Sequence, residues 1–183
     1  MFDAFVQVDH ALRLWVVTHR LDVLNPMMWS VSVIGRGGVV WVAVGVALTM
    51  ARRIQPSGLL RVACAAFLAL LLTDRVLKPL VGRERPFVST PGVLVIGVPP
   101  EDASFPSGQA ATASAACEVL ARLEPSARVL WWTLPLLVAY SRVYVGVHYP
   151  FDVIGGAAIG WLCGMLVDRV LGHRPRRAQA IER

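Results

Sequence analysis

A histidine and an aspartate four residues apart, in a short polar stretch between two long apolar segments, are the first candidates for chemistry. The stretch runs from residue 141 to 152 and contains Ser141, Arg142, His148 and Asp152. A carboxylate one helical turn from an imidazole can hold one ring nitrogen and leave the other as a base, metal ligand or nucleophile. Arg142 is a fixed cation suited to oxyanions. A structural His–Asp pair that caps a helix explains the spacing equally well, so the rest of the chain must decide.

Two further polar groups lie near predicted helix ends. Lys78 and Arg85 flank the end of one apolar segment, and Ser107, Gly108 and Gln109 open another. A helix N-terminus offers free backbone N–H groups to an anion, and a glycine there permits close approach. Lysine and arginine neutralise phosphate oxygens and stabilise the charge that develops on a five-coordinate phosphorus. Together these residues predict a phosphate site, and the lack of a carboxylate cluster predicts a mechanism without metal or cofactor.

The composition indicates that such a site lies in a membrane protein. Of the 183 residues, 56% are hydrophobic and 16% are charged, and the mean hydropathy is +0.58. This is too apolar for a soluble domain of this length and is typical of an integral membrane protein. We expect an all-α membrane protein with one domain over residues 1–183, the bilayer as a partner and no nucleic acid. About five transmembrane helices would use the length, since each needs roughly 20 residues.

The predicted helices follow the apolar segments. We expect an interfacial helix over residues 1–20, because apolar residues recur there at helical spacing with only Asp9 among them. The predicted spans are about 25–50, 59–81, from 106 to the turn at Leu123, 127–144 and 151–171. The first should break at Gly35–Gly38. In the fifth, glycines at 156, 160 and 164 predict close helix packing.

Arginines set the expected orientation. The loop between spans one and two, the loop between spans three and four and the tail 172–183 would share one side, which the positive-inside rule makes cytoplasmic. The basic residues on this predicted side are Arg52, Arg53, Arg61, Arg122, Arg128, Arg174, Arg176, Arg177 and Arg183. Glu118 lies four residues before Arg122, so we interpret it as a structural ion pair. The polar clusters then face the outside, which in a bacterial inner membrane is the periplasmic side.

Three spaced motifs in these clusters resemble those of the type 2 phosphatidic acid phosphatase superfamily, which includes bacterial membrane lipid phosphatases. The first, Lys, six residues, Arg-Pro, matches Lys78 through Arg85-Pro86. The third, Ser-Arg, five residues, His, three residues, Asp, matches Ser141-Arg142, His148 and Asp152. The second, Pro-Ser-Gly-His, reads Pro106-Ser107-Gly108-Gln109 here. The motifs run from residue 78 to 152, in the family's order.

The resemblance implies a role for each matched residue. His148 would be the nucleophile that forms a phosphohistidine, and Asp152 would orient it. The phosphate would be held by Lys78, Arg85, Ser107, Gly108 and Arg142. The family's second-motif histidine would protonate the leaving group, and Gln109 stands in its place. An amide cannot supply a proton, and losing a general acid typically costs a factor of roughly 10² to 10⁴.

Gln109 leaves several interpretations open. It is an engineered replacement that traps substrate or product, or it is natural and marks a slow enzyme, an enzyme for a good leaving group, or a lipid-phosphate binder without chemistry. Our first choice of substrate is undecaprenyl diphosphate, since a pyrophosphate leaving group suits a site without its acid. Phosphatidate, phosphatidylglycerol phosphate and lipid A phosphates stay open. The rival functions are a lipid phosphotransferase and a non-catalytic lipid-phosphate binding protein, and the oligomeric state is undetermined.

Overall fold

A computed structural model of the chain describes residues 2–90, 92 and 94–172, and the regular elements in that part are all helical. The helices, named in chain order, are α1 (Phe2–Thr18), α2 (Asn25–Ile34), α3 (Val39–Met50), α4 (Pro56–Leu71), α5 (Lys78–Val81), α6 (Pro86–Ser89), α7 (Gly108–Leu123), α8 (Arg128–Tyr144) and α9 (Pro150–Gly172). A π-helical turn, Leu72–Leu77, joins α4 to α5. The expected all-α membrane fold is confirmed.

Helix α7 is the centre of the bundle and packs against α4, α8 and α9. Its sequence is rich in alanine, and every residue from 108 to 121 except Gln109 is buried. The small side chains let the neighbouring helices come close. A Cβ added at Gly160 of α9 would lie 2.0 Å from the carbonyl oxygen of Ala111, and one at Gly156 would lie 2.3 Å from that of Ser107. The predicted close packing along the glycine repeat is therefore confirmed, and it fixes α9 against α7.

The first predicted span is broken where the glycines predicted it. Helices α2 and α3 meet at an angle of 52°, separated by a short turn, Arg36–Gly38. Gly37 and Gly38 have φ values of 69° and 75°, a region that glycine enters without steric cost. The turn packs against α7, since a Cβ at Gly38 would lie 3.4 Å from the Thr112 side chain. The break therefore brings Arg36 beside the start of α7.

Two stretches of the described chain are long and apolar enough to cross a membrane, Pro56–Ser89 and Pro150–Gly172. The bent pair Asp22–Ile34 and Arg36–Met50 makes a third if it is one span. Helices α7 and α8 have 16 and 17 residues, which is short for a hydrocarbon core of about 30 Å. The count of five spans stays a prediction. The surrounding helices, rather than lipid, cover α7.

The arginine-rich loops gather at one end of the bundle. Two ion pairs connect different elements there, Arg53 to Glu124 at 2.6 Å and Arg61 to Asp168 at 2.8 Å, and a third, Arg122 to Glu118 at 2.5 Å, lies within α7. The last confirms the structural role expected for Glu118. The predicted tail after Gly172 lies outside the described residues. The three sequence motifs gather at the opposite end, as the alternation of the helices requires.

Helix α1 buries two charged residues against the protein and leaves several large apolar residues exposed. Asp9 and Arg13 are buried, whereas Phe5, Leu12 and Trp15 are exposed. The amphipathic pattern predicted a helix at the membrane interface, with Asp9 within its apolar stripe and Arg13 mostly outside it. The structure instead turns Asp9 and Arg13 into the contact with the rest of the bundle, which leaves the apolar face free to meet lipid.

Candidate functional site

The motifs converge on a cavity of about 280 Å³ at the end of the bundle opposite the arginine-rich loops. Six of the eight predicted site residues line it: Lys78, Arg85, Gly108, Gln109, Arg142 and His148. Ser107 and Asp152 lie directly behind this lining, both fully buried. Three residues that the sequence did not single out also line it: Arg36, Asp74 and Asp102. Cationic side chains therefore outnumber carboxylates around the cavity by four to two.

His148 lies in the tight connection between α8 and α9 and is only 2% exposed. Its Nδ1 is 3.4 Å from Oδ2 of Asp152, and its Nε2 is 3.4 Å from Nη1 of Arg85. Burial lowers the pKa of His148 to about 3, helped by the charges of Arg85 and Arg142 and only partly opposed by Asp152. The ring is therefore neutral near pH 7, and Nε2 is the nitrogen beside the cations of the cavity.

Asp152 is held by donors on several sides in the first turn of α9. The backbone N–H of Tyr149 donates to Oδ2 at 2.9 Å, the Ser104 hydroxyl donates to the same oxygen, and Arg83 donates to Oδ1 at 2.7 Å. A carboxylate with this many charged and backbone donors stays ionised and keeps one orientation. Asp152 is thereby fixed as an acceptor for Nδ1–H of His148.

Arg83 extends this arrangement to helix α1. One guanidinium nitrogen donates to Asp152, and the other donates to Oδ2 of Asp9 at 2.6 Å. Asp9 also accepts the backbone N–H of Phe151 at 2.9 Å. The N-terminal helix is thus linked through two carboxylates and one arginine to His148. Sequence reasoning missed both Asp9 and Arg83, although a lone aspartate within an apolar stripe was a signal.

Asp102 connects the two cations of the first motif. Its carboxylate forms ion pairs with Lys78 and, at 2.6 Å, with Nη2 of Arg85. Its backbone carbonyl accepts from Nε of Arg85 at 2.6 Å. Burial raises the pKa of Asp102, but the hydrogen bonds and charges of Lys78 and Arg85 outweigh it and lower the pKa to about 2. An internal anion therefore occupies the donors expected to hold phosphate.

The start of α7 has the capping serine and the glycine that the sequence predicted, and the Asp74 carboxylate lies beside that glycine. Ser107 is the N-cap, and its Oγ accepts from the backbone N–H of Ala110 at 3.5 Å. A Cβ at Gly108 would lie 2.7 Å from Oδ1 of Asp74, so the glycine allows this carboxylate to approach the helix end. Asp74 in turn pairs with Lys78 at 2.6 Å. The carboxylate interacts favourably with the positive end of α7.

Gln109 and Arg142 reach the cavity from two central helices. Within the described part of the chain, Oε1 of Gln109 and Nε of Arg142 are buried without a hydrogen-bond partner. Arg142 donates from Nη1 to the Ser32 hydroxyl. A Cβ at Gly35 would lie 3.2 Å from Oε1 of Gln109, so the turn before Arg36 touches this side chain. Each residue therefore has a buried polar atom with which a ligand could form a hydrogen bond.

This arrangement suits nucleophilic attack by an imidazole on a phosphoryl group. A neutral ring held at Nδ1 presents a lone pair at Nε2, and the cations around it stabilise anionic oxygens and the charge that grows during transfer. Among the described residues, no group of three or more His, Cys, Asp or Glu side chains could hold a metal ion.

Comparison with known proteins places this site in a wider group. The PAP2 superfamily profile matches residues 58–176. The chain is 34% identical over 155 residues to the undecaprenyl-diphosphatase of Sulfolobus acidocaldarius, covering 82% of this chain and 70% of that protein. It is 38% identical over 101 residues to the decaprenylphosphoryl-5-phosphoribose phosphatase of Mycobacterium tuberculosis, which covers 55% of each.

Two solved structures share the fold. The crystal structure of Aquifex aeolicus LpxE superposes with a TM-score of 0.77 at 26% identity and covers 87% of this chain and 93% of its own. A transmembrane PAP2-type phosphatidylglycerolphosphate phosphatase from Bacillus subtilis also gives 0.77 at 26% identity, with 94% of this chain and 89% of its own covered. The similarity extends over nearly the whole helical bundle described above.

Proposed function

The chain belongs to the PAP2 superfamily and is a membrane-embedded lipid phosphatase, and from this premise we propose that it hydrolyses a polyprenyl diphosphate through a phosphohistidine on His148. The observation that carries the proposal is the neutral, buried imidazole whose Nε2 lies 3.4 Å from Arg85 in a cavity with excess positive charge. The relative from Sulfolobus acidocaldarius acts, by its name, on undecaprenyl diphosphate, which makes this lipid our first choice.

In the proposed first step, Nε2 of His148 attacks the terminal phosphorus. A P–N bond forms, the bridging P–O bond breaks, and its electron pair stays on the lipid-linked phosphate. Asp152 accepts from Nδ1–H and stabilises the imidazolium that forms. Lys78, Arg85, Arg142 and the backbone N–H of Gly108 bind the phosphoryl oxygens, in place of Asp102. The N–H of Ser107 already donates to the backbone carbonyl of Asp152 at 2.9 Å.

In the proposed second step, water attacks the phosphohistidine. A new P–O bond forms, the P–N pair returns to His148, and both protons of the water leave with the inorganic phosphate. The imidazole is then neutral again. Because each step is an exchange of one ligand on phosphorus, positioning and electrostatic stabilisation can supply most of the catalysis.

Gln109 favours a diphosphate over a phosphomonoester. An alkoxide leaves poorly unless it is protonated, and the amide of Gln109 has no acidic proton to give. When a lipid diphosphate is cleaved, the leaving group is the lipid-linked phosphate, which departs as a stable anion without a proton. The chain therefore retains a route for diphosphates that does not need the second-motif histidine.

The proposal includes a location. The site lies at the end of the bundle away from the arginine-rich loops, so the positive-inside rule puts it on the outer face of the cell membrane, the periplasmic side in a bacterium with two membranes. There it would meet lipid diphosphates whose head groups are exposed outside.

The direct test is phosphate release from undecaprenyl diphosphate and from phosphatidate by the purified protein in detergent, each with and without EDTA. We expect release from the diphosphate, little from phosphatidate, and no effect of the chelator. Release of free phosphate separates a hydrolase from a phosphotransferase, which would need an acceptor lipid. Tight binding without release or phosphohistidine would identify a binding protein and contradict the proposal.

A further inference from the structure

We propose that Arg36 binds the lipid-linked phosphate of a diphosphate substrate and so selects diphosphates over monophosphates. This rests on the proposed function and assigns a residue outside the three motifs. Arg36 lies on the turn that breaks the first span and lines the same cavity as His148, Arg85 and Arg142. It is therefore a fourth cation at the site, supplied by an element that the motifs do not include.

The contacts of the turn place Arg36 on the same side of the cavity as Gln109. Gly35 touches Gln109, and Gly38 touches Thr112, which is about one turn further along α7 from its start. Leu70 lines the cavity from α4, and Pro99, Pro100 and Asp102 line it from the outer loop. The terminal phosphate sits with His148, and the leaving oxygen is expected beside Gln109, which stands in the position of the family's proton donor. The lipid-linked phosphate would therefore lie on the side of the cavity where the Arg36 turn touches Gln109.

Arg36 has its charge available. No ion pair with a carboxylate involves it within the described residues; its guanidinium carbon lies 6.0 Å from the centre of the Trp29 ring. It is close enough to Arg142 for their positive charges to interact. Two arginines near one another, with Nε of Arg142 buried and unpaired, create a place where an anion relieves repulsion.

The charge of the cavity matches a diphosphate. When the terminal phosphate displaces Asp102, the four cationic side chains face one remaining carboxylate, Asp74. A phosphomonoester carries about −1.5 to −2 at pH 7, and a diphosphate ester carries about one negative charge more. The additional charge is the one that Arg36 would neutralise.

Arg36 also offers a chemical reason for the absence of an acid at position 109. When the bridging P–O bond breaks, its electron pair goes to the lipid-linked phosphate, and a guanidinium can donate a hydrogen bond to that oxygen without giving up its proton. Charge neutralisation by Arg36 then replaces protonation. Because Gln109 and the Arg36 turn are in contact through Gly35, the two features belong to one subsite.

The test compares Arg36→Ala with Arg75→Ala, an exposed arginine near the same end of the bundle that does not line the cavity. We expect Arg36→Ala to lower kcat/KM for undecaprenyl diphosphate by about 10²-fold, the usual effect of losing one transition-state donor. Free guanidinium should restore part of the rate. Arg75→Ala should behave as the unaltered protein, which excludes a general effect of charge.

Two inhibitors locate the effect. Inorganic phosphate fits the terminal site alone, and methylenediphosphonate, which cannot be hydrolysed, fits both sites. Measured by isothermal titration calorimetry, Arg36→Ala should raise the Kd of the diphosphonate at least about tenfold and change that of phosphate less than about threefold. Equal changes for both inhibitors, or none for either, would overturn the assignment. Because binding is measured directly, this holds even if the unaltered chain releases no phosphate, an outcome that would contradict the proposed function instead.

Discussion

Nη2 of Arg85 lies 2.6 Å from Oδ1 of Asp102, so a carboxylate from the outer loop occupies a donor that the family motif assigns to phosphate. Lys78 binds the other oxygen of the same carboxylate. An internal carboxylate therefore offsets part of the positive charge of the two first-motif cations. Asp102 has a side chain that is 49% exposed, so an entering phosphate can replace it from the solvent side. Binding of substrate is then an exchange of one anion for another.

Removing this internal anion should strengthen phosphate binding. We expect Asp102→Asn to lower the Ki of inorganic phosphate about tenfold, because the amide is a weaker competitor for two charged donors. Glu101→Gln, on the same exposed loop, is the matched control and should leave Ki unchanged. Weaker phosphate binding in Asp102→Asn would mean that this carboxylate orients the cations and does not compete for them.

The state of His148 can be followed directly. Because burial lowers its pKa to about 3, nitrogen NMR of the imidazole should report a neutral ring from pH 8 down to pH 5. The unfolded chain takes up the proton near the ordinary value of 6.5. The native state therefore binds fewer protons between these values, and this group's contribution to stability is present above about 6.5 and declines as pH falls toward 3. A titration midpoint near 6.5 in the folded protein would contradict the buried, neutral nucleophile.

The link from α1 to Asp152 predicts that distant residues affect turnover more than binding. Asp9→Asn weakens the acceptor for Arg83, and Arg83→Met removes the donor to Asp152. We expect each to lower kcat by about tenfold, in line with loss of a charge-assisted hydrogen bond, with little change in KM.

A conservative variant and a control test whether Arg83 and Asp9 act by positioning Asp152. Arg83→Lys should recover part of kcat, because an ammonium keeps the charge but not both hydrogen bonds. Asp22→Asn, which loses only a surface contact with Asn25, should leave kcat unchanged. If Asp9→Asn alters KM and kcat equally, α1 contributes to substrate binding and the positioning role is wrong.

Gln109 gives a prediction that depends on the leaving group. Gln109→His introduces a proton donor at the start of α7, so the rate on a lipid phosphomonoester should rise by a factor on the order of 10² or more. The gain on the diphosphate should be smaller, since its leaving phosphate needs no proton. Steady-state phosphate release from both substrates at neutral pH measures the difference. Equal monoester rates before and after the change would show that another group donates the proton.

The predictable part of the molecule is the part that local rules govern. The composition gave the membrane class, the glycines at 35–38 and 156–164 predicted a break and a close helix contact, and the motif spacing predicted which residues meet. The membrane class and the glycine features depend on residues that are near in sequence or on a spacing set by helix geometry. The meeting of the motifs was predicted instead from the alternation of the helices, which puts all three at one end of the bundle, and from the family resemblance.

The remaining part depends on long-range contacts. Arg36 reaches the cavity from a turn far in sequence from the motifs, and Asp102 reaches it from the loop just before the second motif; neither has a periodic pattern to mark it. For α1, the periodicity predicted an interfacial helix but not which of its residues contact the bundle. In a bilayer the apolar face can meet lipid, so the buried face is the polar one, with Asp9 and Arg13 in it.

The central claim is that His148 carries the phosphoryl group, and trapping that intermediate tests it most directly. The protein is mixed with undecaprenyl diphosphate labelled in the terminal phosphate, quenched in alkali within the first turnover, and analysed for label on protein. We expect an acid-labile, alkali-stable label on the unaltered chain, slower labelling of Asp152→Asn, and none on His148→Ala, whose affinity for the lipid stays within about tenfold. Label or steady phosphate release in His148→Ala would show that the nucleophile is elsewhere and contradict the account.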